Sequence, residues 1–308
     1  MAALLDQRLV VVTGKGGTGK STVAGALGLV AARRGLRTIV AEVAAQDRTA
    51  RAFGRDTPSF EETEVAPGLF AISIEPEAAL REYLREKAGR LADVLAASRT
   101  FSHFAAATPG MRELVSMGKV WELAQLRRRT RGAARYDLVI LDAPATGHGL
   151  GFLRTPRTFA DVSRVGPIAA QAQQIQANLS DPEFTGVITV ARPEEMPVVE
   201  TLELAAALES ELGLELSRVV VNGLSPERYS SRERTLLRRA SPDALSGAGR
   251  AAVRTALSDS ERSRRERALV RRLARGTGRA PATLAQLSAE TLGAAELALL
   301  ADELGSQL

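Results

Sequence analysis

The chain has 308 residues, 45% of them hydrophobic and 25% charged, with 13 Pro, 26 Gly and no Cys. This composition belongs to a folded globular protein and excludes collagen-like, low-complexity and disulfide-stapled classes, along with thiolate metal sites and cysteine nucleophiles. The net charge of +5 predicts weak attraction to anionic partners, and it is carried by Arg, since only four of 41 basic residues are Lys (Lys15, Lys20, Lys87 and Lys119). Two of those four share the stretch 14–21, which marks a site that needs an ammonium point charge and not a guanidinium fork. Residues 1–8 lack the pattern of a secretory signal, and no apolar run approaches the roughly 18 residues of a membrane span, so a cytoplasmic location is expected.

Leu9 to Thr13 is a short β-branched run ending in glycine and reads as a buried parallel strand. Lys20 to Arg34 has helical composition and stops at Gly35, placed as a C′ glycine. Thr38 to Val43 and Leu69 to Ile74 read as further buried strands. Residues 76–135 change character: Leu80, Leu84, Leu91 and Leu95 fall at helical spacing, and Pro109-Gly110 divides two helical parts. Tyr136 to Asp142 returns to strand, followed by strands at Gly186 to Val190 and Arg218 to Asn222. A helix from about 197 to 212 ends at Gly213 between those two, and residues 225–308 read as mostly helical. The alternation predicts an α/β fold with a mostly parallel central sheet flanked by helices, a single domain over 1–308 with a helical insertion at about 76–135.

Gly14-Lys-Gly-Gly-Thr-Gly-Lys-Ser21 satisfies G-x-x-x-x-G-K-[ST] between a predicted strand and a predicted helix, the context a phosphate-binding loop requires. Gly14, Gly16, Gly17, Thr18 and Gly19 would wrap a phosphate with backbone N–H groups, and Thr22 follows in the first turn of the helix. Lys20 is placed to reach the β- and γ-phosphates and Ser21 to ligate Mg2+, with Asp142 at the C-terminal end of its strand as the second group holding the metal. The fold is therefore expected to be that of a P-loop NTPase, with ATP and Mg2+ as its cofactors.

The early lysine of this loop resembles the deviant Walker A loop of the MinD, ParA, nitrogenase-iron-protein and arsenite-pump ATPases. That resemblance implies that Lys15 crosses a dimer interface to the partner's nucleotide. Asp142-Ala-Pro-Ala-Thr-Gly-His-Gly-Leu150 looks like the switch II of the arsenite-pump (ArsA) ATPases and of the guided-entry targeting ATPase of tail-anchored membrane proteins. Thr146, Gly147 and His148 would then be switch residues coupling the γ-phosphate to the dimer interface. Thr189 to Val198, with its P-E-E-M-P run, and Val219-Val-Val-Asn-Gly223 also resemble family segments. By that match Pro193 lies beside the nucleotide and Asn222 hydrogen-bonds the base.

The sequence also departs from the family. The switch I aspartate that orients the attacking water falls on Ala44; Asp47 is taken as its substitute, with Glu42 or a partner residue as alternatives. The absence of Cys removes a thiol site for arsenite and the zinc-binding cysteine pair of the targeting ATPase. One phosphate loop, where the bacterial pump ATPases carry two fused halves, implies a homodimer or a heterodimer with a related ATPase. Phe101, Phe104, Met111, Leu114, Val115, Met117, Val120 and Trp121 have the spacing of a core more than of a client groove. The leading reading is a dimeric ATPase that switches conformation for a membrane-protein client or a membrane pump. A ParA- or MinD-like ATPase acting on DNA or a membrane surface would use Arg127-Arg-Arg-Thr-Arg131, Arg232 to Arg239 and Arg262 to Arg275. Nucleic acid is disfavoured because Glu233, Glu261 and Glu266 interleave those runs. Ala44 suggests a third reading, a low-turnover nucleotide-binding partner subunit.

Overall fold

A computed structural model describes residues 4–43, 47–56, 60–88, 108–129, 132–145, 148–162, 166–240, 245–289 and 291–308. The strands are β1 (Leu9–Thr13), β2 (Thr38–Val43), β3 (Thr63–Ala66), β4 (Leu69–Ile74), β5 (Leu138–Asp142), β6 (Thr185–Ala191), β7 (Arg218–Leu224) and β8 (Ala282–Ala285). The helices are α1 (Lys20–Arg33), α2 (Arg48–Ala52), α3 (Pro76–Ala88), α4 (Met111–Leu123), α5 (His148–Val162), α6 (Pro167–Ser180), α7 (Glu195–Ala207), α8 (Ser231–Arg239), α9 (Gly247–Thr277) and α10 (Ala294–Gly305). The strands form one sheet in the order β3-β4-β2-β5-β1-β6-β7-β8, parallel throughout except for the β3–β4 pair.

Both faces of this sheet are covered, which explains why its inner strands read as unbroken apolar runs. Side chains alternate between two cores. Leu9, Val11, Ile39, Ala41, Val139 and Leu141 pack with Met117 and Trp121 of α4, Phe152 of α5, Ile175 of α6 and Val198 of α7. Val10, Val12, Val40, Leu138 and Ile140 pack instead with Leu27 of α1 and Leu297, Leu300 and Leu304 of α10. Helix α1 sits so close to the sheet that a Cβ at Gly28 would lie 2.8 Å from Leu69 Cδ1 and 3.0 Å from Val40 Cγ2.

Among the described residues the sequence-predicted strands appear, β1, β2 and β4 with the expected bounds and β5, β6 and β7 with ends shifted by one or two residues. Gly35 (φ 87°) closes α1 as expected, its N–H donating to Ala32 O and that of Leu36 to Ala31 O. Helix α7 begins at Glu195, and its continuation over Leu208–Leu212 widens into a π turn before Gly213. Two strands were not anticipated. One is β3, a four-residue antiparallel edge, and the other is β8, inside the region read as mostly helix. Both are too short for periodicity to declare them. The exposed edge of β8 is covered by side chains from the end of the chain. Gln307 accepts from Thr283 N at 2.8 Å and donates back to Thr283 O at 2.8 Å, while Glu303 accepts from Ala285 N at 2.9 Å. A strand edge treated this way offers little to an incoming strand.

Of the described parts of 76–135, Pro76–Ala88 and Met111–Leu123 are helical, while 124–129 and 132–135 are irregular. Met117 and Val120 are fully buried, and Leu114 and Trp121 nearly so, which agrees with the core reading. Leu91, Leu95, Phe101 and Phe104 lie outside the described residues.

Candidate nucleotide-binding site

Strand register brings the chemistry together. Glu42 pairs with Asp142 across β2–β5, and Asp142 pairs with Val12 across β5–β1, so three strand ends lie level where the glycine loop leaves β1. From β1 the chain crosses to β2 on one side, and from β5 it later crosses to β6 on the other; α/β folds place ligands outside the strand ends at such a reversal. The loop depends on glycine at two points. Gly14 (φ 141°) would drive a Cβ into Val190 O, and Gly19 (φ 91°) would drive one into the Asn222 amide. Gly19 also caps α1 without a side-chain bond, which leaves the first-turn N–H groups of α1 available to an anion.

Lys20 is 9% exposed, and its Nζ donates to Lys15 O at 3.0 Å. Burial lowers its pKa, Asp142 opposes that shift and Arg48 adds to it. Ser21 Oγ donates to Asp142 Oδ2 at 2.5 Å, while Asp142 Oδ1 is buried with no hydrogen-bond partner. Burial pushes the Asp142 carboxyl up to about 6; the Ser21 bond pulls it down, neighbouring Glu42 pushes it further up, and Lys20 and Arg48 pull it down. An orphaned carboxylate oxygen beside a hydroxyl suits a hard divalent cation such as Mg2+. Among the described residues no group of three or more His, Asp or Glu forms a metal cage, so further ligands would come from nucleotide and water.

The remaining sequence-predicted residues fall as follows. Lys15 Nζ bonds Glu200 Oε1 of α7 at 2.5 Å, and Glu200 Oε2 is buried without a partner. Within one chain, Lys15 is therefore turned toward α7. Thr18 Oγ1 donates to Lys15 O at 2.9 Å, and Asn222 Nδ2 donates to Thr18 O at 2.9 Å, so Asn222 does reach the loop. Gly16 and Gly17 lie in the loop, Thr22 lies half-buried in the first turn of α1, and Pro193 is buried between β6 and α7. Asp47 caps α2 in a left-handed conformation (φ 38°), with Oδ1 buried and unpartnered. Glu42 is fully engaged: it accepts from Arg48 N at 2.7 Å, Thr49 N at 2.6 Å and Thr49 Oγ1 at 2.5 Å. Its carboxylate thus ties β2 to the first turn of α2. Ala44, Thr146 and Gly147 lie outside the described residues, as does the side chain of His148.

Sequence reasoning missed Arg48. Its guanidinium donates to Ser21 Oγ at 3.3 Å and makes no ion pair among the described residues. The available signal was its place in the loop after β2, at the ligand-binding end of the sheet.

Among the described residues, several arginines of the basic runs are engaged in ion pairs. Arg128, with a side chain 2% exposed, is buried in a network: its Nη2 lies 2.6 Å from Glu62 Oε1 and 2.9 Å from Glu122 Oε2. Tyr136 donates to Glu62 at 2.8 Å, and Lys119 bonds Glu82 at 2.8 Å and Glu122 at 3.3 Å. Burial works against the Arg128 cation, but Glu62 and Glu122 outweigh it and hold its pKa above the ordinary value. On α8 and α9, Arg238 pairs with Glu261, Arg262 with Asp259 and Arg272 with Glu195.

A family model described as anion-transporting ATPase matches residues 7–171 and 160–243 of this chain. The chain belongs to the anion-transporting ATPase family. It is 33% identical over 225 residues to ATPase BagA of Mycobacterium tuberculosis, covering 70% of this chain and 64% of that protein. It is 27% identical over 247 residues to the arsenical pump-driving ATPase of Escherichia coli, covering 72% of this chain and 40% of that one. It is 24% identical over 264 residues to an ATPase ASNA1 homolog of Entamoeba dispar, covering 70% and 76%. The match spans a little under two thirds of the mycobacterial relative's length. Among the described residues, no helix is long and apolar enough to cross a membrane.

Proposed function

We propose that this member of the anion-transporting ATPase family binds and hydrolyses ATP with Mg2+, as a dimer whose conformational switching serves a membrane-protein client or a membrane pump. The observation that carries the nucleotide part is the Ser21–Asp142 pair with its orphaned Oδ1, set beside Lys20 and the first turn of α1. Bound Mg2+ would draw negative charge off the terminal phosphates. The chain's own residues do the rest: the glycine backbone wraps the phosphates, Lys20 supplies positive charge, and Ser21 and Asp142 would hold the metal. Asn222 already reaches the loop, so the base would lie toward β7, with Pro193 nearby. The dimer rests on the resemblance carried by Lys15, and arsenite is disfavoured as a ligand because the chain has no thiol.

The client role rests on family likeness alone. Helices α3, α4 and α6 enclose a cavity of about 360 Å3, lined by Leu80, Tyr83, Met111 and Ile168 among others. That volume takes a few side chains, far less than a membrane-spanning helix about 30 Å long and 10 Å wide.

A second reading has an observation of its own. All acceptor positions shown for Glu42 are engaged in capping α2, which leaves the Asp47 Oδ1 as the free carboxylate oxygen of the β2–α2 segment among the described residues. A nucleotide-binding partner subunit with low turnover fits that arrangement. Single-turnover ATP hydrolysis, with Lys20→Ala as the blank, separates the two. Phosphate release above the blank supports the enzyme; tight ATP binding with no release over hours supports the partner subunit; no binding refutes both.

A further inference from the structure

We propose that Arg48 is a second phosphate-binding cation of this site, serving the terminal phosphate of a nucleoside triphosphate from within the same chain. The proposal rests on the nucleotide-binding reading above.

Arg48 Nη1 lies 3.3 Å from Ser21 Oγ, the oxygen that donates to Asp142 Oδ2 at 2.5 Å. The guanidinium is therefore at the corner where the glycine loop, α1 and the end of β5 meet. Its root is fixed, because Arg48 N donates to Glu42 Oε2 at 2.7 Å and Thr49 is held by the other oxygen of the same carboxylate. Glu42 is buried and belongs to β2, so the sheet itself positions the residue from which this side chain extends.

The charge balance points the same way. Lys15 is neutralised by Glu200, and Lys20 lies in the field of Asp142. Arg48 has no carboxylate partner among the described residues and spends one of its five N–H donors on Ser21. Its side chain is exposed, and its charge acts on both Lys20 and Asp142, which agrees with the Ser21 contact in setting it at the mouth of the loop. An unneutralised guanidinium beside a phosphate loop has an evident class of ligand, since its planar fork matches phosphate oxygens two at a time.

The hydroxyl that Arg48 contacts decides which phosphate. Ser21 Oγ accepts from Arg48 while donating to Asp142; once that oxygen is needed as a metal ligand, Arg48 loses its acceptor. Backbone N–H groups of 14–19 wrap the inner phosphates, so the oxygens that replace Ser21 for Arg48 are those of the terminal phosphate, on the β2–β5 side. The segment after β2 thus contributes a cation where the family likeness led to the expectation of a carboxylate at position 44.

The test is equilibrium binding of ADP and of a non-hydrolysable ATP analogue, each with Mg2+, to wild type, Arg48→Ala and Arg48→Lys. Arg48→Ala is expected to weaken the triphosphate analogue about tenfold, equivalent to about 1.4 kcal/mol, and to leave ADP within about twofold. Arg48→Lys keeps the charge and loses the fork, so it falls between wild type and Arg48→Ala for the triphosphate only. Equal loss for both nucleotides, or no loss in either variant, overturns the role of Arg48 while the nucleotide site stands. Wild type binding neither nucleotide overturns both.

Discussion

Replacing Arg128 by Ala removes the centre of a buried charge network and leaves Glu62 and Glu122 facing each other with Lys119 as the remaining nearby cation. The Arg128 side chain is 2% exposed, that of Glu122 9% and that of Glu62 24%. Breaking a buried ion pair by deleting one partner costs about 3–5 kcal/mol. The lower end applies here, because Glu62 keeps the Tyr136 hydroxyl and some solvent and Glu122 keeps Lys119. With an unfolding entropy of about 2.1 cal/mol/K per residue, a loss of about 3 kcal/mol lowers Tm by about 5 °C in a chain of this length.

The pH dependence makes this prediction specific. In the wild type, burial raises the Glu62 and Glu122 carboxyls, but Arg128, Tyr136 and Lys119 outweigh it and hold both below 4.5. These groups therefore stabilise the fold above about pH 4.5 and lose that contribution as pH falls through their folded values. Without Arg128 burial prevails, the folded pKa values rise above 4.5, and stability is lost as pH rises through them. Thermal unfolding at intervals from pH 5 to pH 8 should show the deficit of Arg128→Ala widening with pH. Arg128→Met, which restores volume, should show the same trend, and the pair Arg128→Met with Glu122→Gln should recover most of the loss. A deficit under 1 kcal/mol at pH 8, or one that narrows as pH rises, would refute the assignment.

Asp142→Asn should separate stability from function. The raised carboxyl of Asp142 makes the metal-free fold lose stability as pH climbs from about 4 through 6, so with EDTA at pH 7.5 the Asn variant melts higher than wild type by an amount on the order of 2–3 kcal/mol, yet loses the Mg2+-dependent part of nucleotide affinity; a lower Tm would contradict the burial argument. Gly14→Ala places a Cβ against Val190 O at a φ that L residues avoid, so it should cost more than about 2 kcal/mol by chemical denaturation and abolish nucleotide binding. Glu200→Gln releases Lys15 from a pair that is 40% and 27% exposed and worth up to about 1 kcal/mol, so ATP-dependent dimerisation measured by light scattering should tighten a few-fold, whereas Lys15→Ala abolishes it. If both variants dimerise as wild type does, Lys15 has no part in the interface.

The legible part of this protein was the part with one physical solution. Strands such as Val10–Val12 and Val139–Leu141 are buried on both faces and so declare themselves as apolar runs. Strand β8 did not, because four residues carry no period and its stability comes from β7 and from Gln307 and Glu303, remote in sequence. The same divide runs through the candidate site. Glycines at fixed spacing before Lys20 and Ser21 are dictated by backbone conformation, and Asp142 by its place at a strand end. Arg48 enters because Glu42 folds α2 back onto the end of β2, and Glu200 because α7 passes the loop. Both effects depend on tertiary packing that no local pattern records. The basic run at 127–129 misled in the opposite direction, since it looks like surface charge and its middle residue is among the most buried cations of the fold.

The phosphate loop is held from three directions: β7 takes Thr18 O through Asn222, α7 takes Lys15 through Glu200, and β5 and α2 both reach Ser21. Under the proposed function, phosphate binding would be an exchange of partners on a scaffold shaped by the rest of the fold. The conformational entropy of shaping the loop is spent in folding, so an arriving phosphate meets little ordering penalty, and its enthalpy is reduced by the bonds it displaces. A signal can also leave the loop by the same route, because each displaced partner belongs to a different helix or strand. Under the proposed function, a ligand that exchanged any one of these bonds would be felt at β7, α7 or α2, each through a different residue of the same eight.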